Sequence, residues 1–478
     1  NGSHVLLYYH VFTDPEHEDP SRLCLAISSD NGKTFTKPSL GYIKYRGQDT
    51  NIVFGPEVAD FPGFGRACGG GGCEPGAVFL DSNPEAKLEQ RFKLMVFGPA
   101  HAGGGVWPMV SPDGIRWQVA SRGPIYVDSD TQQVPMWLPG HDSASGKYIV
   151  YMRTKVLPYR YPNRTCNWCV GQSELRQDGT CKPHCGQGVH AIRSVGRCES
   201  ATFSEGWFGC STTNASNIVF RFDTEDHPCV DFYLSAAVRY EGKFLMFPAA
   251  YLHYPDVEYS SPRQWCCHND GVWNTRLAFS HDGRNFSYVA GDRSPFIDRS
   301  ESLGTEPLNS PSEIPLGTSW DGSIVSIASG IVVSQPEGLI RLYKFGDALR
   351  HGQNNAAARS GTSGISLIEM RLDGFSSLQS SPSATSVATT VPILFSATAL
   401  HVNVRTGLAA QLLVEILPES GHDAALEGFG VNNSLPVSGN MVNTAVHWCQ
   451  TSLQNYTCVP TDSSVLRGKY VRLRFVMV

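Results

Sequence analysis

The chain has 478 residues and a net charge of −6, with 17% charged and 41% hydrophobic residues. No apolar run approaches the roughly 18–20 residues that a membrane-spanning helix needs, and no basic surplus favours nucleic acid as a partner. The 47 glycines, 30 prolines and 10% aromatic residues favour short strands and many turns over helix.

The first apolar stretch, from His4 to Phe12, reads as a strand. A second begins at Arg22 and runs into Ser28-Ser29-Asp30-Asn31-Gly32-Lys33-Thr34-Phe35, an S-x-D-x-G-x-T-F pattern. Its mechanics are local: the aspartate accepts backbone N–H groups of a tight turn, glycine takes positive φ, and the aromatic ring packs beneath. The pattern recurs at Ser111-Pro112-Asp113-Gly114-Ile115-Arg116-Trp117 and at Ser280-His281-Asp282-Gly283-Arg284-Asn285-Phe286. The first two turns lie roughly 80 residues apart and the last two about twice that, which predicts a degenerate copy between them. Arg193 to Trp207 keeps the strand, the serine-rich turn and the aromatic, and a final copy runs from Glu369 to Phe375. Each turn strand is preceded by another of matched character, starting at His4, Arg91, Gly146, Glu241 and Glu337. Two strand types present five times each predict an all-β, five-bladed β-propeller over residues 1–378. Inner strands are assigned from Gly76, Gln133, Asp231 and Ser323. None is evident for the first blade, so that blade is expected to be incomplete. The Ser/Thr/Ala/Pro stretch 379–391 reads as a linker, and the period-two alternation in 392–478 predicts a small β-sandwich accessory domain.

Fourteen cysteines accompany glycosylation sequons at Asn1, Asn163, Asn214, Asn285, Asn432 and Asn455. Together they point to a secreted or cell-surface glycoprotein from which a signal peptide has been removed. Cys68 and Cys73 bracket a glycine run and are expected to close a tight loop. Cys166, Cys169, Cys181 and Cys185 have zinc-like spacing, but in a secretory chain they read as a disulfide-stapled loop inserted in the third blade. Cys449 and Cys458 are expected to close a hairpin. The chain holds no His-x-His or His-x-x-x-His pair, so no metal centre is expected, and no cofactor; a structural calcium ion is compatible with this reading.

The repeated turn resembles the Asp box of β-propeller proteins such as the sialidases. With its strands, the chain resembles the five-bladed-propeller glycoside hydrolases of the β-fructosidase and arabinanase superfamily. The run LCLAISSDNGKTFTKPSLG, then SPDGIRW, then RLDGF leading to the terminal VRLRF resembles a group of secreted hydrolase-like proteins in which a propeller precedes a C-terminal sandwich. One departure matters: the fructosidase-type Asn-Asp-Pro nucleophile motif does not precede the first turn, where only Asp14-Pro15 occurs.

Glycoside hydrolysis needs two carboxyl groups flanking the scissile bond. Inner-strand ends bring such groups to a propeller funnel, which makes Asp231 the first catalytic candidate and Glu306 and Asp142 the next, with Asp49 behind them. Arg153 and Arg193, on successive strands of the third blade, could fork onto a carboxylate or sulfate of an acidic sugar; the competing reading is an inter-blade salt bridge. Tyr251, His253 and Tyr254 with Trp137 could form a sugar-stacking wall, or belong to the blade core. Two functions remain open. One is a carbohydrate-active, glycoside hydrolase-like propeller acting on or binding a terminal sugar of an extracellular glycan. The other is a non-catalytic structural or adhesive glycoprotein of a matrix or surface assembly, built on the same scaffold and touching other glycoproteins.

Overall fold

The computed structural model describes residues 4–11, 22–58, 73–98, 105–126, 133–140, 146–156, 192–210, 217–223, 225–226, 230–255, 267–300, 319–351, 362–381, 384–421, 424–451 and 458–478. Among the described residues it is all-β, interrupted only by short 3-10 turns such as Leu88–Gln90 and Ser463–Leu466. The described residues pack as two compact units, residues 1–332 with 342–368, and residues 333–341 with 369–478.

In the first unit the matched strand pairs are antiparallel neighbours. Val5–Val11 pairs with Arg22–Ser28, Phe92–Gly98 with Gly105–Ser111, and Lys147–Val156 with Ile192–Ser200. In the next sheet Lys243–Pro255 lies beside Val230–Tyr240 and meets two partners on its other side. Cys267–Thr275 pairs along its C-terminal half and Ala278–Ser280 along its start. Val134–Leu138 and Val230–Tyr240 flank their sheets where inner strands were expected. Among the described residues the first sheet has three strands, Val5–Val11, Arg22–Ser28 and Ile52–Phe54. Alternation drives the burial: Leu94 and Val96 pack with Leu23, Leu25, Trp107 and Met109 in one core, while Ile149, Tyr151, Phe232 and Met246 share another.

The three intact turns share one hydrogen-bonding scheme, with one extra residue, Asn31, between aspartate and glycine in the first. Asp30 Oδ1 accepts the N–H groups of Lys33 and Thr34 at 3.0 and 2.9 Å, and Ser28 Oγ accepts from Gly32 at 2.8 Å. Asp113 takes the N–H groups of Ile115 and Arg116, and Asp282 those of Arg284 and Asn285, all at 2.8 Å. Gly32, Gly114 and Gly283 stand at φ +84°, +76° and +70°. Each glycine carbonyl then receives a tyrosine hydroxyl from another sheet. Tyr8 donates to Gly114 at 3.1 Å, Tyr151 to Gly283 at 2.8 Å and Tyr343 to Gly32 at 2.9 Å. The last contact joins the first sheet to a strand more than 300 residues later and is reinforced by the Phe35 ring, edge-on to Tyr343 at 5.3 Å.

The degenerate turn is built differently. Thr202 stands two residues after Ser200, where the intact turns carry aspartate. Ser200 Oγ donates instead to the Glu205 carbonyl, and Trp207 Nε1 to that of Phe203. A disulfide between Cys198 and Cys210, not anticipated from the sequence, closes the segment with Cα atoms 5.0 Å apart. Here a covalent link stands in for the carboxylate. At the final copy Asp373 itself occupies the left-handed position, at φ +57°.

These turns contribute to the acid response. Hydrogen bonds from Ser28 and Thr34 hold the Asp30 carboxyl well below the usual carboxylate range. The Asn285 and Arg284 N–H groups do the same for Asp282 against a smaller opposing effect of burial. At Asp113 burial opposes the charge, but the N–H groups of Arg116 and Ile115 with Ser111 outweigh it. A depressed folded-state value contributes stability above the unfolded pKa, about 4, and loses it as pH falls through the lower folded value. The denaturant midpoint is therefore expected to be insensitive to these groups above about pH 5 and to fall below about pH 4. Asp113→Asn should flatten that acid limb, and an unchanged limb would count against this account.

In the second unit Lys469–Met477 is the central strand of an antiparallel sheet. Leu412–Pro418 lies on one side, and Ser386–Thr389 and Ile393–Phe395 lie in succession on the other. His401–Arg405 pairs with Asn440–Ala445, and Cys449–Thr451 with Cys458–Pro460. The core is Val414, Ile416, Trp448, Val471 and Leu473, with Trp448 Nε1 donating to the Val414 carbonyl at 2.7 Å. Within this unit Arg341 is fully buried and pairs with Glu337 at 2.6 Å and Glu369 at 2.9 Å.

Candidate functional site

Strand register decides which polar side chains can meet. Arg153 lies opposite Val195, and Lys155 opposite Arg193. Cross-strand neighbours share a face and residues two apart lie on the same side, so Arg153 and Arg193 project from one face of the third sheet. In the fourth sheet Asp231 is paired with Tyr251, and Tyr251 in turn with Trp273. The three stand in a row across it, with Tyr233 two residues beyond Asp231.

The two sets meet. Arg193 places Nη1 3.3 Å and its backbone N 3.2 Å from Asp231 Oδ2. Arg153 donates Nε and Nη2 to the Tyr233 carbonyl, both at 3.2 Å, with its guanidinium carbon 4.2 Å above the Tyr233 ring. Arg193 lies 5.1 Å from the same ring. Tyr233 stacks on Trp273 at 4.9 Å with planes 12° apart and meets Tyr251 edge-on. His351 Nε2 is 2.9 Å from Tyr233 Oη, and the His351 backbone N–H donates to the Gly271 carbonyl at 3.2 Å. Trp273 Nε1 donates to Ser326 Oγ at 2.9 Å, tying the cluster to the Ile324–Ile327 strand. Gly271 is needed for close approach, because a Cβ there would stand 2.1 Å from the Leu252 carbonyl and 2.8 Å from the Tyr251 ring.

Burial divides the cluster into a floor and a rim. Asp231 is 3% exposed and Tyr251 0%, and Arg153 and Trp273 are also buried. Arg193, Tyr233 and His351 are half-buried. A ligand would meet a guanidinium, a phenol and an imidazole over a buried carboxylate. Both arginines are already engaged, Arg193 by Asp231 and Arg153 by the Tyr233 carbonyl, as the competing salt-bridge reading expects for Arg193. Tyr251 forms floor and not a stacking wall.

Of the residues singled out from the sequence, Asp231, Arg153 and Arg193 come together here. Trp137 does not. It lies opposite Tyr148 and packs on it at 4.7 Å, in a core with Phe203. Tyr148 precedes Arg153 by five residues, so Trp137 sits roughly 16 Å along the strand from the cluster. The backbone of His253 pairs with Gly271, and Tyr254 is on the same strand, Lys243–Pro255; their side chains lie outside the described residues, as do Glu306 and Asp142. Asp49 is on an exposed two-residue ladder, 3.8 Å from Lys44. Tyr233, Trp273 and His351 were missed. Only Tyr233 carried a signal, its two-residue spacing from Asp231.

Among the described cysteines Cys24 is free and buried, and burial pushes its thiol up to about 11, so it is no nucleophile. Cys73 and Cys449 are disulfide-bonded. Cys68, Cys166, Cys169, Cys181 and Cys185 lie outside the described residues, as does the Cys458 side chain. Among the described residues no three His, Cys, Asp or Glu side chains are placed to hold a metal ion, and no helix is long and apolar enough to cross a membrane.

No protein-family model and no curated protein matches the chain. Among solved structures it is similar to a putative glycoside hydrolase from Bacteroides ovatus, at 12% identity over 77% of this chain and 83% of that one, with a TM-score of 0.41. It is also similar to the β-1,2-mannobiose phosphorylase of Listeria innocua, at 10% identity over 78% and 83% of the two chains, with a TM-score of 0.40. Overlaps of this quality carry no argument about substrate or mechanism.

Proposed function

We propose that the first unit is a closed five-bladed propeller, and that its funnel end at Asp231 acts on or binds a terminal sugar of an extracellular glycan. The observation that carries this reading is the convergence of Arg193, Asp231, Tyr233 and His351 from separate strands into one half-buried polar cluster over an aromatic floor. Sugar sites need such a mixture of charged hydrogen-bonding groups and ring faces. The Tyr343 to Gly32 contact supports closure, since it joins the last sheet of the unit to the first. In a hydrolase Asp231, paired with Arg193, would serve as the charged carboxylate. The acid would then come from a second carboxyl group, for which Glu306 and Asp142 are the sequence candidates. Release of free sugar from a glycan panel is the test, and it should disappear in Asp231→Asn.

A second reading has its own support. A carboxylate as buried as Asp231, already held by Arg193, also suits a structural clamp in a non-catalytic adhesive glycoprotein. Glycan-array binding without sugar release, retained in Asp231→Asn, would favour it.

We also propose that the protein is secreted or displayed at the cell surface, carrying N-glycans and meeting other surface or matrix glycoproteins. The cystine between Cys198 and Cys210 suits an oxidising compartment. Asn285 and Asn432 are exposed, although Asn285 Nδ2 donates to Asp282 Oδ2 at 2.7 Å in the folded turn, so its glycan would be added before folding. Peptide-N-glycosidase treatment of protein made in a eukaryotic secretory host should release glycans from peptides spanning Asn285 and Asn432. Unmodified peptides at both would sink this part of the reading.

A further inference from the structure

We propose that the Ser386–Thr389 edge of the second unit pairs antiparallel with the same edge of a second copy, making the chain a two-fold dimer. The proposal is independent of the carbohydrate reading. Ser386–Thr389 and Ile393–Phe395 both pair with Lys469–Met477, on the side opposite Leu412–Pro418, and no described strand lies beyond them. Thr390 donates its N–H to the Leu473 carbonyl at 2.9 Å. By the alternation of an antiparallel ladder, the backbone groups of Val387, Thr389 and Val391 therefore point away from it.

Natural edges of this kind are blunted by short length, proline, lysine, inward-pointing charge or a bulge; this one is four residues long and is followed by Pro392, which leaves Val391 as its last pairing position. None of the charged devices is present, because no Asp, Glu, Lys or Arg occurs between Asp373 and Arg405. The edge is instead apolar and open, with Val387 58%, Val391 76% and Leu394 49% exposed, next to Tyr470 of the central strand at 54%. Leu394 and Tyr470 are direct cross-strand partners, so their side chains form one patch.

Charge favours a second copy as the occupant. The chain carries −6 overall, which opposes self-association through charged surface, whereas two uncharged edges meet without like-charge repulsion. The sequence is also self-complementary about Thr389. Antiparallel pairing centred there sets Val387 against Val391 of the second copy, and the reverse, giving two β-branched pairs around a central Thr–Thr pair.

The full chain should sediment or scatter as a dimer at up to about 100 µM, above the micromolar range of weak specific interfaces. Thr389→Lys places like charges directly opposite across the dyad and should raise the dissociation constant at least about tenfold. Leu408→Lys, at another exposed leucine, should leave the dimer intact. A monomer throughout, or a dimer indifferent to Thr389→Lys, overturns the proposal. Hydrogen exchange on the unmutated chain gives a check that does not depend on variant folding. The Val387, Thr389 and Val391 amides should exchange more slowly as concentration rises, and concentration-independent exchange also overturns it.

Discussion

Replacing Gly32 with alanine is expected to destabilise the first unit by about 3 kcal/mol or more, read as a lower denaturant midpoint with unchanged slope. Two effects combine. Gly32 stands at φ +84°, where an L side chain costs about 1–2 kcal/mol. The new Cβ would also lie 2.1 Å from Tyr343 Oη, the hydroxyl that donates to the Gly32 carbonyl. Tyr343 must withdraw, losing a buried hydrogen bond worth about 1 kcal/mol and loosening its edge contact with Phe35, worth about 0.5–1.5 kcal/mol. Tyr343→Phe alone should cost only the hydrogen bond, about 1 kcal/mol. The combined variant should then be more stable than the sum of the two losses, because removing the hydroxyl removes the clash. Strict additivity would mean that Tyr343 does not lock this turn. Chemical denaturation suits a chain containing cystines better than heating, whose midpoints drift when unfolding is irreversible.

That lock shows what a sequence can and cannot reveal. The turns at Asp30, Asp113 and Asp282 were legible because the hydrogen bonds to their aspartate carboxyls all come from within four residues, so composition and order specify them. Their tyrosine partners were hidden, since Tyr8, Tyr151 and Tyr343 come from other sheets and look like ordinary strand aromatics. In retrospect a rule is visible: each intact turn has such a tyrosine, whereas the degenerate copy at Ser200 has a disulfide. The candidate site divides in the same way. Asp231 and both arginines could be read from strand ends, but Trp273 joins them only through the register of Lys243–Pro255 with Cys267–Thr275. His351 joins through a loop contact to Gly271 that no local pattern encodes. Trp137 was misassigned for a related reason. Alternation gives the face of an inner strand on which a residue lies and not its height, and Trp137 occupies the end remote from Arg153.

Asp231→Asn is expected to lower sugar release by about 10²–10⁴-fold while preserving side-chain volume. The same change leaves the half-buried Arg193 against a neutral amide and should cost up to about 3 kcal/mol of stability, since removing the buried partner of the pair leaves a charge uncompensated. Lost activity alone is therefore ambiguous, and Arg193 resolves it. If Asp231 acts only by holding that guanidinium, Arg193→Met should reproduce the whole loss, and the double variant should be no worse than either single change. If the carboxylate itself meets the reacting sugar, Arg193→Lys should chiefly raise KM while Asp231→Asn chiefly lowers kcat. Denaturant midpoints for each variant separate both outcomes from simple unfolding. An Asp231→Asn protein that folds and releases sugar at the original rate would remove this carboxylate from the chemistry and leave the buried ion pair as a clamp between strands.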